Sequence, residues 1–465
     1  MSALNRRAFL AGSAATVAGP ALAAPAGAAD SDILIIGAGV AGIAAANRVA
    51  ATGMKCLVLE AGDHLGGRCF TDTRIFGFPY ERGARWIYMP DVNPLAKLAA
   101  KTGINLEPAP PGPHLRNGSR YAHPGETEGF LASFARYNRA ISGAALDADD
   151  VSCAQAISHD LDEWRATMEF VLGAFKCGGS LNLISAVDFA NSADRTLASS
   201  CPQGIGKLLG KLAVSSRIQF YSPVTQIQWD ASLVKVETRS GALTARAVIV
   251  TASTGVLGSG KIKFQPGLPA RYIEAIGKLR LGSYDHVALE FDNNPLALKK
   301  DDLIFEKATG RRTAALLANV SGTGLHVVEI AGKLGADLAL EDEAAMTAFA
   351  IDWVEATFGS KLKRLVKRTH ATRWSKEPWT LGAFSFASPG GQWARKALSQ
   401  PLGERLWFAG EAVHETLWGT VGGAWESGEH AADAAIKRLG GSDPRQGRSR
   451  TTTEAGAKLT LKASL

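Results

Sequence analysis

Cysteine is scarce in this sequence of 465 residues, which has five cysteines and no C-x-x-C pair. An odd number of thiols without that spacing argues against a disulfide scaffold and against a cysteine zinc site. The nine histidines are scattered, and neither the H-E-x-x-H motif of metalloproteases nor the G-x-S-x-G motif of serine hydrolases occurs. The sequence therefore predicts no metal site and no serine nucleophile.

Long apolar runs and concentrated charge are also missing. No stretch reaches the roughly 20 apolar residues that a membrane-spanning helix needs, so we expect no stable membrane span. The formal net charge is +7, but residues 1–29 hold two of the excess positive charges and residues 439–465 hold three, which leaves the central part of the chain close to neutral. A nucleic-acid-binding protein carries a basic patch on its folded domain, so no nucleic-acid partner is expected.

Residues 1–29 have the features of a signal peptide. Arg6 and Arg7 precede the pair Phe9-Leu10, a short Ala- and Gly-rich run follows, and small-residue cleavage sites end the segment. The arginine pair resembles that of twin-arginine signals, which direct folded proteins out of the cytoplasm. This predicts a periplasmic or secreted protein, with the export machinery as a partner.

A dinucleotide-binding unit is predicted directly after this segment. An apolar run at 33–36 indicates a buried parallel strand, and a G-x-G-x-x-G motif follows it at Gly37, Gly39 and Gly42. An Ala-rich helical stretch and a second apolar strand come next, and that strand leads into Glu60. In this pattern the glycines allow a tight turn, close approach of the backbone to a pyrophosphate, and close packing of helix on strand. The helix N-terminus attracts phosphates, and Glu60 is placed to accept hydrogen bonds from ribose hydroxyls.

The residues after Glu60 favour FAD over NAD. With Glu60 they match E-A-x-x-x-x-G-G-R-x-x-T, in which the triplet is Gly66, Gly67 and Arg68. This resembles the signature of flavin-dependent amine oxidases, and the resemblance implies that the triplet embraces the flavin side of FAD. The segment GARWIY resembles the family stretch that lies along the isoalloxazine ring, and its first residues are Gly83, Ala84, Arg85 and Trp86.

Further segments extend the resemblance over most of the chain. In the family, the backbone at the position of Val224 meets the adenine part of FAD, and Glu411 bonds near the ribityl–pyrophosphate region. Val421 starts the helix that points at the flavin pyrimidine. The chain is thereby identified as a member of the flavin monoamine oxidase / polyamine oxidase superfamily. Ala383 stands where relatives with covalent flavin have a cysteine, so the resemblance implies non-covalent FAD.

The resemblance also implies the fold class. We expect an α/β protein in which a Rossmann-like FAD-binding domain is interleaved with an α+β substrate domain made of a mixed sheet and helices. The ranges are 30–88, 205–260 and 400–440 for the FAD-binding domain, 89–204 and 261–399 for the substrate domain, and 441–465 for a disordered tail.

Local patterns predict several elements of the substrate domain. Helices are expected at 128–141, 161–175 and 341–358, and strands at 286–291 and 324–330.

The predicted catalytic strand departs from the family. The segment GSYDHVALEF resembles the pattern G-x-x-x-K-V-x-L-x-F, whose lysine is linked through a water to flavin N5, and His286 stands at the lysine position. The alternative is a packed strand histidine or a register shifted by one residue. An imidazole in this place predicts a rate that titrates near about pH 6.5, moved by burial.

The aromatic walls over the flavin differ as well. Phe384 keeps a ring in the family's G-S-Y segment, whereas Thr420 replaces the aromatic residue of the opposite wall. Either Trp418 refills that space or the pocket is wider.

These features predict an enzyme that transfers hydride from the carbon next to an amine to flavin N5. The resulting imine would hydrolyse to an aldehyde or ketone, and oxygen or a periplasmic electron acceptor would take the electrons. An amino-acid oxidase, a C–C desaturase on the same fold, and a flavin-binding protein with little turnover are the alternatives. An arginine that binds a substrate carboxylate would favour amino acids, but the sequence does not locate one.

Overall fold

The computed structural model describes residues 29–158, 162–213, 216–359 and 362–441. The predicted signal peptide, except for Ala29, and the predicted tail, except for Gly441, lie outside these residues. Part of the helix predicted at 161–175 also lies outside them.

The strands of the described residues are short, and most belong to two large sheets. In chain order they are β1 (Ser31–Ile36), β2 (Cys56–Leu59), β3 (Thr71–Asp72), β4 (Tyr80–Glu81), β5 (Trp86–Tyr88), β6 (Glu107–Pro108), β7 (His114–Asn117), β8 (Arg120–Tyr121), β9 (Ala198–Ser200), β10 (Ile218–Gln219), β11 (Val224–Gln228), β12 (Val234–Thr238), β13 (Gly241–Val250), β14 (Lys263–Gln265), β15 (Leu279–Leu281), β16 (Tyr284–Phe291), β17 (Leu303–Glu306), β18 (Ala315–Leu317), β19 (Leu325–Ala331), β20 (Val366–Ala371), β21 (Ser385–Ala387) and β22 (Leu406–Phe408).

The described residues form thirteen α-helices. In chain order they are α1 (Val40–Ala50), α2 (Pro94–Lys101), α3 (Pro124–Ala144), α4 (Cys153–Ala156), α5 (Arg165–Met168), α6 (Ala186–Asn191), α7 (Ile205–Leu212), α8 (Thr254–Gly258), α9 (Ala270–Lys278), α10 (Gly332–Glu341), α11 (Glu343–Phe358), α12 (Trp393–Ser399) and α13 (Val421–Arg438). A π-helical segment, Glu169–Phe175, continues α5, and 3₁₀ turns lie at Leu181–Leu183, Val320–Gly322, Leu362–Leu365 and Glu411–Val413.

The first sheet has the order β10-β2-β1-β13-β12-β11-β14, with β22 beside β13. Its central strands are parallel, and Ile36 pairs with Leu59 on one side and Val250 on the other. The carboxyl ends of three strands therefore meet at one edge. The apolar residues of β1 are buried, as expected of a strand covered on both faces. Small residues of α1 and α13, such as Ala45 and Ala432, pack against this sheet.

The second sheet is mixed and has the order β20-β16-β19-β18-β17-β7-β8. Its pairs are antiparallel except for the parallel pair of β7 and β17. In β16 and β19 His286 lies directly opposite Glu329. Helix α11 covers one face, where Phe349 and Trp353 share a core with Val287. The side chain of Asp342 caps this helix by accepting from the amide of Ala345 at 2.8 Å.

The predicted fold class is confirmed. The elements predicted in the substrate domain also occur, with α3, β16, β19 and α11 each close to its expected bounds. The helix expected at 161–175 is a short α-helix followed by the π-helical segment. Strand β14 pairs with β11 of the first sheet, so that sheet extends a few residues past position 260. The division of the chain into two interleaved domains stays a prediction.

Candidate active site

A cavity of about 580 Å³ lies at the edge where the parallel strands of the first sheet end. Residues at the ends of β1, β2 and β13 line one side of it, and residues of β16 and β19 line another. We call the side that contains Gly37, Glu60, Arg68 and Glu411 the cofactor face.

The first glycine motif leaves no room for side chains. Gly37 has φ +104°, which favours glycine, and a Cβ on Gly42 would lie 1.9 Å from the carbonyl oxygen of Gly37. Gly37 and Gly39 line the cavity, whereas Gly42 holds α1 close to β1 behind them. The motif thus presents backbone and the N-terminal end of α1 to the cavity, an arrangement suited to a pyrophosphate.

Glu60 lies at the adjoining edge of the cavity. Its Oε2 accepts from the amide of Ala38 and its Oε1 from the amide of Gly62, both at 2.7 Å. These bonds fix the carboxylate in place, while each oxygen keeps a lone pair for a further donor. Its contact with a ribose stays a prediction.

The second glycine motif is joined to the first. Gly66 forms a bridge with Gly39, and its amide donates to the carbonyl oxygen of Ala38 at 2.8 Å. A Cβ on Gly67 would lie 3.6 Å from the Cα of Gly39. A Cβ on Gly83 would lie 2.0 Å from the carbonyl oxygen of Arg68, so GARWIY packs directly on this motif.

Arg68 and Glu411 form an ion pair at the centre of the cofactor face, with Nη1 and Oε1 2.8 Å apart. Arg68 also donates to the carbonyl oxygen of Ala383 at 2.6 Å. The other oxygen of Glu411 accepts from the hydroxyl of Ser385 and the amide of Gly419, at 2.7 and 2.8 Å. Burial by itself raises the pKa of Glu411, but Arg68 and Ser385 outweigh it and hold that pKa below its ordinary value.

A buried network supports this pair from behind. Arg395 and Asp188 are both fully buried, with Nε and Oδ1 2.6 Å apart. Arg395 also donates to the hydroxyl of Ser385 and to the carbonyl oxygen of Ala412. Since Ser385 donates in turn to Glu411, the network fixes the orientation of that carboxylate.

Other residues predicted to bind the cofactor also line the cavity. Ala84, Arg85, Trp86, Val224 and Val421 belong to this group. The guanidinium of Arg85 turns to Asp301 at 2.6 Å and Ser321 at 3.3 Å, so its charge is compensated inside the protein.

His286 projects from β16 to the opposite side of the cavity. Its Nδ1 lies 3.1 Å from the carbonyl oxygen of Glu81. A carbonyl only accepts, so Nδ1 carries the hydrogen and Nε2 keeps a lone pair in the neutral ring. Burial lowers the pKa of His286 to about 4. The ring is therefore neutral at pH 7, and burial moves the expected titration of the rate from near 6.5 to near 4.

The predicted aromatic walls are only partly present. Phe384 lines the cavity and lies 5.6 Å from Tyr284, measured between ring centroids. Thr420 also lines it, but its hydroxyl donates to the carbonyl oxygen of Leu417 and accepts from the amide of Gly423 as the cap of α13.

Trp418 does not refill the space beside Thr420. Its ring is fully buried behind the cavity wall, and its indole nitrogen donates to the carbonyl oxygen of Asp188 at 3.3 Å. The guanidiniums of Arg195 and Arg395 each lie 4.8 Å from the centroid of its ring. Packing with these two arginines accounts for its position.

Sequence reasoning missed several residues of this side. We call Tyr284, His286, Glu329, Phe384 and Arg195 together the substrate face, and of these residues only His286 and Phe384 were predicted from the sequence. Burial raises the pKa of Glu329 to about 7, although Tyr284 donates to its Oε2 at 2.7 Å. The signal in the sequence is a single acid inside the apolar run of β19. Arg195 stands in a loop of no evident pattern, and Lys176 lies in the helical turn that follows the π-helical segment, where no motif marks it, so the sequence gives no comparable signal for either residue.

The fold and the cavity define a dinucleotide-binding oxidoreductase with a flavin-type second motif. The family profile described as flavin containing amine oxidoreductase matches residues 40–436. The chain therefore belongs to this family, and its cofactor is FAD. The residues of the cofactor face fit this cofactor. The two glycine motifs and the N-terminus of α1 offer backbone donors without side chains, and Glu60 offers one fixed acceptor.

Curated relatives agree with this assignment. The chain is 28% identical over 438 residues to lysine-specific histone demethylase 2 of Homo sapiens. The aligned region covers 87% of this chain and 53% of that protein. It is 26% identical over 447 residues to polyamine oxidase 2 of Arabidopsis thaliana, with 88% of both proteins covered. The chain thus spans about half the length of the demethylase.

The structure is also similar to that of cyclohexylamine oxidase from Brevibacterium oxydans IH-35A. The TM-score is 0.73 at 21% identity, with 88% of this chain and 99% of that one covered, and the two share a fold. Within the described residues of our chain, every helix is too short or too polar to cross a bilayer.

Proposed function

We propose that the protein oxidises an amine. A hydride leaves the carbon next to the nitrogen, a proton leaves the nitrogen, and water then hydrolyses the imine to an aldehyde or ketone and a shorter amine or ammonia. Bound FAD supplies the two-electron acceptor at N5. The observation that carries this proposal is the single cavity shared by the cofactor face and an aromatic wall with a neutral imidazole.

The residues of the chain position the reactants. Phe384 and Tyr284 are both partly buried, offer aromatic surface to the carbon skeleton of the substrate and restrict the access of water to the reacting carbon. Nε2 of His286 accepts a hydrogen bond from a water or from the substrate nitrogen. Because its pKa lies near 4, His286 acts as an acceptor and not as a cation above about pH 5.

Anaerobic reduction of the bound flavin tests this function. A panel of primary and secondary amines is mixed with the FAD-loaded protein, the loss of flavin absorbance is followed, and the carbonyl product is identified. We expect bleaching by at least one amine with a stoichiometric carbonyl product. Absence of bleaching by every amine, in protein with full FAD content, contradicts the proposal.

Variants of His286 refine the test. His286→Ala is expected to slow flavin reduction about tenfold or more, since the lost acceptor leaves a donor unpaired, and His286→Gln recovers part of the rate. The control is His326→Gln, because His326 is also a buried strand histidine with a pKa of about 4 but does not line the cavity. A rate for His286→Ala equal to that of the parent at every pH would return His286 to a packing role.

We further propose that the protein is exported folded by the twin-arginine route, with oxygen or a periplasmic acceptor taking the electrons from FAD. The support is the pair Arg6-Arg7 before Phe9-Leu10, which lies outside the described residues. Replacement of both arginines by lysine should retain uncleaved, FAD-loaded protein in the cytoplasm. Mature protein outside the inner membrane in that variant would contradict the route.

A further inference from the structure

The arginine and lysine side chains that line the cavity and are at least partly buried fall into two groups. Arg68 pairs with Glu411, Arg85 with Asp301, and Arg82 lies 3.8 Å from Glu377. These arginines have their charge compensated by carboxylates of the chain.

Arg195 and Lys176 also line the cavity but have no such partner. Arg195 donates through Nη1 to the carbonyl oxygen of Lys176 at 3.3 Å and through Nη2 to that of Trp418. Carbonyl oxygens are neutral, so these bonds orient the guanidinium without compensating its charge. Among the described residues, no carboxylate lies within ion-pair distance of Arg195 or Lys176. The adjacent Asp194 accepts from Thr196 and attracts Lys176 only over a longer distance.

The surroundings of Arg195 hold it beside the aromatic wall. Its guanidinium lies 4.8 Å from the ring centroid of Trp418 and 5.9 Å from that of Tyr88. A Cβ on Gly419 would lie 3.2 Å from the ring of Phe384 and 3.5 Å from Nη2 of Arg195, so the two side chains flank the same glycine. Arg195 thus lies beside Gly419, the neighbour of Thr420, on the side where the resemblance places an aromatic wall in relatives.

Lys176 directly follows the π-helical segment Glu169–Phe175. Such segments are rare and are often found at functional sites. The Nζ of Lys176 lies 3.8 Å from the ring centroid of Phe189. Burial lowers the pKa of Lys176, and the nearby Arg195 adds to that effect. Two cations in one partly buried region, both without a carboxylate, are unfavourable until an anion joins them.

We propose that Arg195 and Lys176 bind a carboxylate of the substrate, so that the protein oxidises amino acids in preference to simple amines. This inference rests on the proposed amine oxidation and names the class of amine. A carboxylate accepts from the free N–H groups of the guanidinium and from the ammonium at once, which orients the amine end of the molecule toward the cofactor face.

The binding arm of the test needs no turnover. Benzoate and benzyl alcohol are titrated into the FAD-loaded protein, and binding is followed by the flavin absorption spectrum and by calorimetry. We expect benzoate to bind more tightly than benzyl alcohol. Lys176→Met and Arg195→Met should each weaken benzoate binding roughly tenfold or more and leave benzyl alcohol within about twofold.

Lys333→Met is the matched control, because Lys333 is an exposed lysine that pairs with Asp337 away from the cavity. FAD content is measured first for each variant. If Arg195→Met does not retain FAD, Arg195→Lys and Lys176→Met carry the test, and Arg195→Lys should keep part of the benzoate affinity. Equal binding of benzoate and benzyl alcohol by the parent, or benzoate affinity unchanged in Lys176→Met, overturns the proposal.

The second arm compares flavin reduction by amino acids and by the amines that lack only their carboxylate, such as both enantiomers of phenylalanine against 2-phenylethylamine. We expect amino acids to give the larger kcat/KM, and Lys176→Met to reduce that preference. Faster reduction by the simple amines overturns the carboxylate site and leaves amine oxidation standing. No reduction by any compound contradicts amine oxidation itself, while the benzoate titration still decides the carboxylate site.

Discussion

On the cofactor face, charges and hydrogen-bonding groups find their partners within the chain. Arg68 and Glu411 pair with each other, and both oxygens of Glu60 accept from backbone amides. On the substrate face and beside it, Nε2 of His286 keeps a free lone pair, and Arg195 and Lys176 lack a carboxylate partner among the described residues. Contacts within the chain therefore fix the groups of the cofactor face, whereas the substrate face and its surroundings leave an acceptor and two cations open to a ligand.

The largest expected effect comes from adding a side chain to the first glycine motif. Gly42→Ala places a methyl group 1.9 Å from the carbonyl oxygen of Gly37, so α1 must move from β1 and FAD binding should be lost. The measurement is the flavin content of the purified variant. Gly210→Ala is the control, because Gly210 also lies in a helix and has open space around it. Full flavin content in Gly42→Ala would contradict a rigid cofactor face.

The buried network behind Glu411 should give the next largest effect. Arg395→Met leaves Asp188 charged and without its partner in a fully buried place, so we expect a loss of about 3–5 kcal/mol in the free energy of unfolding. Arg438→Met, which breaks an exposed pair with Glu404, should cost no more than about 1 kcal/mol. Chemical denaturation of both variants measures the difference. Equal losses would show that the cofactor face does not depend on this network.

On the substrate face, the raised pKa of Glu329 should make the stability of the folded protein depend on pH. Burial raises the pKa of Glu329 from an ordinary value near 4.5 to about 7, so its stabilising contribution is present below the unfolded value and is lost as pH rises through 7. Glu329→Gln removes that loss. Its stability relative to the parent should therefore grow by up to about 1.4 kcal/mol per pH unit between 5 and 7.

Glu290→Gln is the control for this pH dependence. Arg368 donates to Glu290 and lowers its pKa, so the parent gains stability from this pair above the unfolded value and loses it as pH falls. As pH rises from the acid range, the parent should therefore become more stable relative to Glu290→Gln. This is the opposite of the change expected for Glu329→Gln. A flat difference for Glu329→Gln would mean that the pKa of Glu329 is not raised in the folded protein.

The smallest effect is expected at the ribose acceptor. Glu60→Ala should weaken FAD binding by about 1–3 kcal/mol, because a ribose hydroxyl and two backbone amides lose their acceptor. Glu60→Gln keeps one side-chain oxygen and should lose less. Titration of the apoprotein with FAD gives both values. An affinity in Glu60→Ala equal to that of the parent would count against the ribose assignment.

The cofactor face was open to prediction because its residues lie in short, contiguous motifs. The spacing from Gly37 to Glu60 and on to Arg68 is set by one helix and one strand, so local pattern fixes the geometry. The pairing of Arg395 with Asp188 joins residues that are far apart in the chain, and no local pattern encodes it. Likewise, the sequence shows that Thr420 is not aromatic but not that Arg195 lies beside it.

The close packing of α1 and α13 has a consequence for how the protein is made. A Cβ on Gly428 would lie 2.1 Å from the carbonyl oxygen of Ala41, so the two helices meet backbone to backbone although they stand near opposite ends of the chain. At typical translation rates, roughly 20 to 80 s separate the synthesis of these residues. Throughout that interval the small-residue face of α1 has no partner on the ribosome. We therefore expect that a nascent chain does not retain FAD, and that the cofactor is taken up only after α13 has been released from the ribosome.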